Sequence, residues 1–156
     1  MLCAVRRLTL FLKFWLPPLL WMSVIFFVSA DSASVNRSSR LLGPLFRWLF
    51  PDFSEDAIGL CVLAVRKLAH VTEYAFCAIL LWRALRQYTA ADRRPWIPRH
   101  AWVAFAICVA YAITDEFHQR FVPGRGPALT DVFLDSLGAA AGLLAVWLAG
   151  RWSKLW

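Results

Sequence analysis

Lys67, His70, Glu73, Asp115, Glu116, Asp131 and Asp135 interrupt stretches that are otherwise apolar enough to cross a bilayer. An ionisable side chain at membrane depth costs about 3 kcal/mol or more, so such residues face a bundle interior, pair with one another and mark functional sites. The chemistry open to them is of two kinds. His70 or Glu73 could serve as a general base, with Asp115 or Asp135 orienting it or holding a divalent cation. Alternatively, Lys67, Arg120 and Arg125 contact phosphate or carboxylate on an anionic ligand while the carboxylates orient those cations and select hydroxyl or amine groups.

Helical phase favours convergence of these residues. Lys67, His70 and Tyr74 fall on one stripe of a helix, with Glu73 three residues after His70. Asp115 and Gln119 share a face, as do Glu116 and Arg120, whereas His118 points away from the Asp115/Gln119 face. Further on, Asp131, Asp135, Gly138 and Gly142 share a face, and the two glycines form a small-xxx-small contact that lets another helix approach closely.

The composition requires a membrane setting. Sixty per cent of the 156 residues are hydrophobic, and nine Trp and twelve Phe suit a bilayer solvent better than a soluble surface. The net charge of +7 lies between apolar runs with no nucleic-acid motif, so attraction to anionic lipid accounts for it and nucleic acid is excluded as a partner. Cys3, Cys61, Cys77 and Cys108 have neither paired nor zinc-like spacing and read as small apolar residues.

Four segments reach the ~20 residues that a transmembrane helix needs, at 10–30, 57–85, 101–122 and 128–149. The first is read as a retained span, although Val28-Ser29-Ala30 resembles a cleavage site. A polar stretch at 31–40 precedes a short interfacial helix at 41–50, which Pro51 ends. Ser54, followed by Glu55 and Asp56, then caps the second span. The 123–127 run is a tight turn. The expected fold is therefore all-α, a polytopic bundle of four membrane-spanning helices plus the interfacial helix. Arg6, Arg7 and Lys13, the arginines between 83 and 99, and Arg151 with Lys154 fall on one side of such a bundle, which places both termini in the cytoplasm.

Arg66-Lys67-x-x-His70-x-x-Glu73-Tyr74, Tyr111-Ala112-x-x-Asp115-Glu116-x-x-Gln119 running into Phe121-Val122-Pro123-Gly124-Arg125, and Asp131-Val132-x-x-Asp135-x-x-Gly138 together resemble the VanZ-like family of small bacterial membrane proteins. The resemblance covers roughly residues 60–147, with Asp135 where many relatives carry Asn. It implies an integral protein of the bacterial inner membrane, in a family named for an accessory protein of glycopeptide-antibiotic resistance. On this basis the chain divides into an N-terminal helix, outer loop and interfacial helix (1–59), a VanZ-like transmembrane domain (60–147) and a cytoplasmic tail (148–156).

Three functions compete. The first is a binding site, formed by Lys67, His70, Glu73, Tyr74, Asp115, Glu116, Gln119, Arg125, Asp131 and Asp135, for an anionic lipid-linked or cell-envelope molecule, with membrane lipids as the other partners. The second is a membrane-embedded enzyme acting on a lipid-linked phosphate or glycan, with His70, Glu73, Asp115 and Asp135 as catalytic candidates. No recognised metal signature or nucleophile motif accompanies them. The third is a bundle whose charges fix helix register and whose function resides in a partner protein, through pairs such as Lys67 with Asp115 or Asp131 and His70 with Glu73 or Asp135. No cofactor is expected. Five carboxylates against Lys67 nevertheless leave protonation, a bound cation or basic loop residues to balance the charge.

Overall fold

The computed structural model describes residues 2–30, 33–89, 91–121 and 129–156. Those residues form helices and no strand: α1 (Leu2–Phe14), α2 (Leu16–Ala30), α3 (Ala33–Leu49), α4 (Glu55–Arg86), α5 (Pro98–Gln119) and α6 (Leu129–Trp152). The all-α expectation holds. The turn expected at 123–127 lies outside the described residues.

The first apolar run is broken rather than straight. Pro17 and Pro18 lack the N–H that a helix interior needs, so they are accommodated in the first turn of a new helix that restarts after a turn at Trp15. The segments Leu8–Phe14 and Leu16–Ser29 meet at 44°. By length and composition, α4 and α6 can each cross a membrane, and the bent pair counts as a third candidate. The expectation of four such helices is met for two or three. The 22-residue α5 falls short because Arg99, His100, Asp115, Glu116, His118 and Gln119 occupy its end turns.

The polar stretch expected as a loop at 31–40 is instead helical from Ala33, and α3 continues through Pro44 to Leu49. With no Gly or Pro between 33 and 42, nothing stops the interfacial helix from propagating towards its N-terminus. The cap of α4 is as expected. The Ser54 side chain accepts from the Ala57 N–H at 3.2 Å, with Glu55 and Asp56 in the first turn. At the other end Gln87 takes a left-handed conformation, φ 52°, and stops the helix.

The packing that positions the site is that of α4 on α6. A Cβ at Gly138 would collide with the Val71 backbone and one at Gly142 with the Ala75 backbone, a four-residue step on both helices. The two helices therefore run parallel in fixed register, with α5 returning antiparallel beside them. Tyr74, Cys77, Ala78 and Leu81 of α4, Ala104, Cys108 and Ala112 of α5, and Ala139 of α6 fill the core.

At the end of the bundle where α4 and α6 finish, Arg86 is buried at 2% exposure. Its guanidinium donates to Asp92 Oδ2 at 2.9 Å and to the Pro95 carbonyl at 3.0 Å, and it lies 5.2 Å from the Trp156 ring and 5.6 Å from that of Trp82. The tail folds back, so that Trp156 packs on Gly150 instead of trailing into solvent. Hydrogen bonds from Arg94, then Arg86, hold the Asp92 carboxyl well below the usual carboxylate range. A depressed folded-state pKa contributes stability that is complete above the unfolded value, about 4, and is lost as pH falls below it. Asp92→Asn is expected to lower the unfolding midpoint at neutral pH, with the gap to wild type closing below about pH 4. Tryptophan fluorescence during unfolding in detergent checks this.

Candidate functional site

The first half of the polar cluster joins α2 to α5. The Ser29 hydroxyl donates to Asp115 Oδ2 at 2.6 Å, and the Gln119 amide donates to the same oxygen at 2.9 Å and to the Ser29 oxygen. Asp115, Gln119 and Ser29 are all buried. The i, i+4 pairing of Asp115 with Gln119 was legible in the sequence. Ser29 was not: a lone hydroxyl in the last turn of an apolar helix carries no local signal of its partner.

The second half joins α4 to α6. His70 Nδ1 lies 3.9 Å from Asp135 Oδ1 and 4.0 Å from Glu73 Oε2, beyond direct hydrogen-bond reach of either. Separations of this kind are what a bridging water or a ligand group fills. Asp135 is buried at 3% exposure, and its Oδ1 has no hydrogen-bond partner among the described residues; nor does the hydroxyl of fully buried Tyr74. Lys67 Nζ stands 3.9 Å from Asp131 Oδ1, with both side chains two-fifths exposed or more. This looser pair forms the open edge of the cluster.

The two halves face one another. The Tyr74 ring of α4 lies 6.3 Å from the Tyr111 ring of α5, and His70 and Asp115 each stand one turn from that pair, on the same side of it because the helices are antiparallel. Asp135 is within electrostatic range of Asp115, Asp131, Glu116 and Glu73. The Tyr111 hydroxyl is taken up by the Met22 carbonyl, and the Trp21 indole donates to the Glu73 carbonyl at 2.9 Å, so α2 closes one flank.

Of the ten residues expected at the site, nine are described. Lys67, His70, Glu73, Tyr74, Asp115, Gln119, Asp131 and Asp135 take the positions above, and Glu116 is buried one residue beyond Asp115. Arg125 lies outside the described residues. Arg120 is exposed with its guanidinium 5.8 Å from the Phe117 ring, and the His118 ring lies 4.4 Å from that of Phe26 on α2. Among the described residues, no group of three or more His, Cys, Asp or Glu side chains is arranged to hold a metal ion.

Apolar helices long enough to span a membrane, enclosing a buried polar cluster, define an all-helical membrane protein. Residues 14–150 match the sequence model of the VanZ/LLP1 family, and the chain belongs to that family. The match extends the region of resemblance back through α2, which supplies Ser29. No curated protein and no solved structure matches the chain.

Proposed function

We propose that this VanZ-like protein binds an anionic, lipid-linked or cell-envelope molecule in the cluster between α4, α5 and α6, from the outer face of the bacterial inner membrane. The observation that carries this reading is the pair of buried atoms, Asp135 Oδ1 and the Tyr74 hydroxyl, that lack hydrogen-bond partners among the described residues beside the loosely spaced His70. A buried polar atom left unmade costs about 1–3 kcal/mol, so a site holding two of them is one that a ligand's hydroxyl or amine groups would complete. Lys67, at the open edge, would take the phosphate.

The reading includes four spans with both termini cytoplasmic. In its support, α5 runs beside α4 and α6 with Asp115, Glu116 and Gln119 buried, and Arg83, Arg86, Arg99 and Arg151 gather at the opposite end of the bundle from the cluster. At about 48 Å, α4 exceeds a hydrocarbon core of about 30 Å, so its first turns, packed on α3, would extend beyond the core and bring His70 into the outer half. Such a site fits a role in envelope or glycopeptide tolerance.

One observation favours a second reading, hydrolysis or transfer on a lipid-linked phosphate or glycan: His70 stands between two carboxylates, the arrangement that orients a general base. One experiment addresses both. Full-length protein extracted from membranes is expected to retain a ligand in native mass spectrometry, and Asp135→Ala to lose it while still inserting and remaining folded. Turnover of an added lipid-linked precursor by the wild type would favour the enzyme. Equal retention by the wild type and the Asp135 variant would remove the site.

A further inference from the structure

A groove runs along the outward side of α4, where that helix meets α2. Val65, Leu68, Ala69, Thr72 and Phe76 recur at helical spacing on one face of α4, and Trp21 of α2 walls the groove, its ring set edge-on to that of Phe76 at 4.8 Å. Its volume is about 640 Å³, and Val65, Leu68 and Phe76 are exposed in it. The Thr72 hydroxyl donates to the Leu68 carbonyl of its own helix at 2.7 Å, so the lining offers apolar surface almost throughout.

Glu73 is the exception. Among the described residues it is the one ionisable group lining the groove, and a carboxylate on the hydrocarbon side of a spanning helix is costly unless it serves a function. It also belongs to the central cluster, with Oε2 4.0 Å from His70 Nδ1. The Trp21 indole donates to the Glu73 carbonyl at 2.9 Å, which fixes this turn of α4 against α2. One side chain therefore borders two compartments: an apolar groove open to lipid, and a polar cluster whose Asp135 Oδ1 and Tyr74 hydroxyl lack partners among the described residues. A molecule that occupies both has a polar head and a hydrocarbon tail.

The dimensions favour a single lipid chain. From Val65 to Phe76 the helix rises about 16 Å, close to the depth of one leaflet in a hydrocarbon core of about 30 Å, whereas a partner helix seated there would need a groove along the whole thickness. We propose that the α2–α4 groove is the hydrocarbon-chain subsite of the central cluster: the ligand is a lipid whose head lies among His70, Tyr74 and Asp135 and whose chain passes Glu73 into the groove, so that it enters sideways from the bilayer. The ligand of the proposed cluster site, on which this rests, is thereby narrowed from cell-envelope molecules in general to lipid-linked ones.

The probe is lysophosphatidylglycerol with a photoreactive diazirine in its acyl chain, which brings a phosphate, hydroxyls and one chain. Full-length protein in phosphatidylcholine nanodiscs is irradiated with it, labelled residues are mapped by peptide mass spectrometry, and the probe retained on gentle extraction is counted by native mass spectrometry. Labelling is expected on α4 between Val65 and Phe76 and around Trp21, and unlabelled lysophosphatidylglycerol is expected to compete it away. Ala69→Trp and Thr72→Trp place an indole in the groove from exposed positions. Each is expected to cut retention about tenfold, which corresponds to about 1.4 kcal/mol of overpacking. Asp135→Ala is expected to lose the probe as well, because its head is no longer held. Loss in Asp135→Ala with retention untouched by either tryptophan overturns the chain subsite alone, whereas retention unchanged in Asp135→Ala removes the central site and the subsite with it. Labelling spread over the lipid-facing surface that unlabelled probe does not compete shows ordinary bilayer lipid and overturns the proposal. An unlabelled groove in a protein that native mass spectrometry finds dimeric gives this face to a second copy, with the same result.

Discussion

Gly138→Leu is expected to destabilise the protein by about 3 kcal/mol and to abolish the site with it. A Cβ at position 138 collides with the Val71 backbone rather than with a side chain that could rotate away, so α4 and α6 must separate to admit it. Separation moves Asp135, three residues before Gly138, away from His70, whose ring already stands 3.9 Å from that carboxylate. Gly142→Leu acts in the same way through Ala75. Gly59→Ala is the control, since its Cβ meets nothing; relieving a mid-helix glycine there is expected to be neutral or to stabilise by about 0.5–1 kcal/mol. Unfolding of the three variants in mixed micelles checks the contrast. A Gly138→Leu protein as stable as Gly59→Ala would show that the helices are not locked at this contact.

The second large effect is expected at Asp115. Its Oδ2 accepts from both Ser29 and Gln119 in a buried setting, and hydrogen bonds to a charged acceptor contribute about 1.5–3 kcal/mol each. Asp115→Ala removes the acceptor that both donors share, leaving only the hydrogen bond from Gln119 to Ser29, and is expected to cost about 3 kcal/mol, with α2 loosened from α5. Ser29→Ala should cost about 1 kcal/mol, because Gln119 still serves the carboxylate. A double-mutant cycle between positions 29 and 115 measures the coupling, and strict additivity would contradict the contact.

Most of the fold follows from features that a single chain exposes. Apolar length gave α4 and α6, Ser54 with its acidic neighbours gave the start of α4, and helical phase put Asp135, Gly138 and Gly142 on one face. The pairing of Lys67 with Asp131, and the place of His70 between Glu73 and Asp135, were among the alternatives the charges allowed. The choice among them depends on the register of α4 against α6, a tertiary quantity that no local pattern encodes. Two features escaped for the same reason. Ser29 takes its meaning from Asp115, 86 positions away, and the extra turns of α3 form on residues whose own preferences are weak. The bend at Trp15 follows from Pro17-Pro18, which a helix accommodates only in its first turn.

The central claim is that acidic and basic groups from three helices meet in a protein interior that opens outward through Lys67 and Asp131. Single cysteines at 67, 115, 131 and 135, in a chain cleared of its native cysteines, can be exposed to a membrane-impermeant maleimide applied from outside intact cells. The account predicts rapid labelling at 67 and 131, and protection at 115 and 135 that is lifted when the bundle is unfolded. Labelling of 67 and 131 only from the cytoplasmic side, or reaction of 115 and 135 with a lipid-soluble probe in the folded protein, would contradict it.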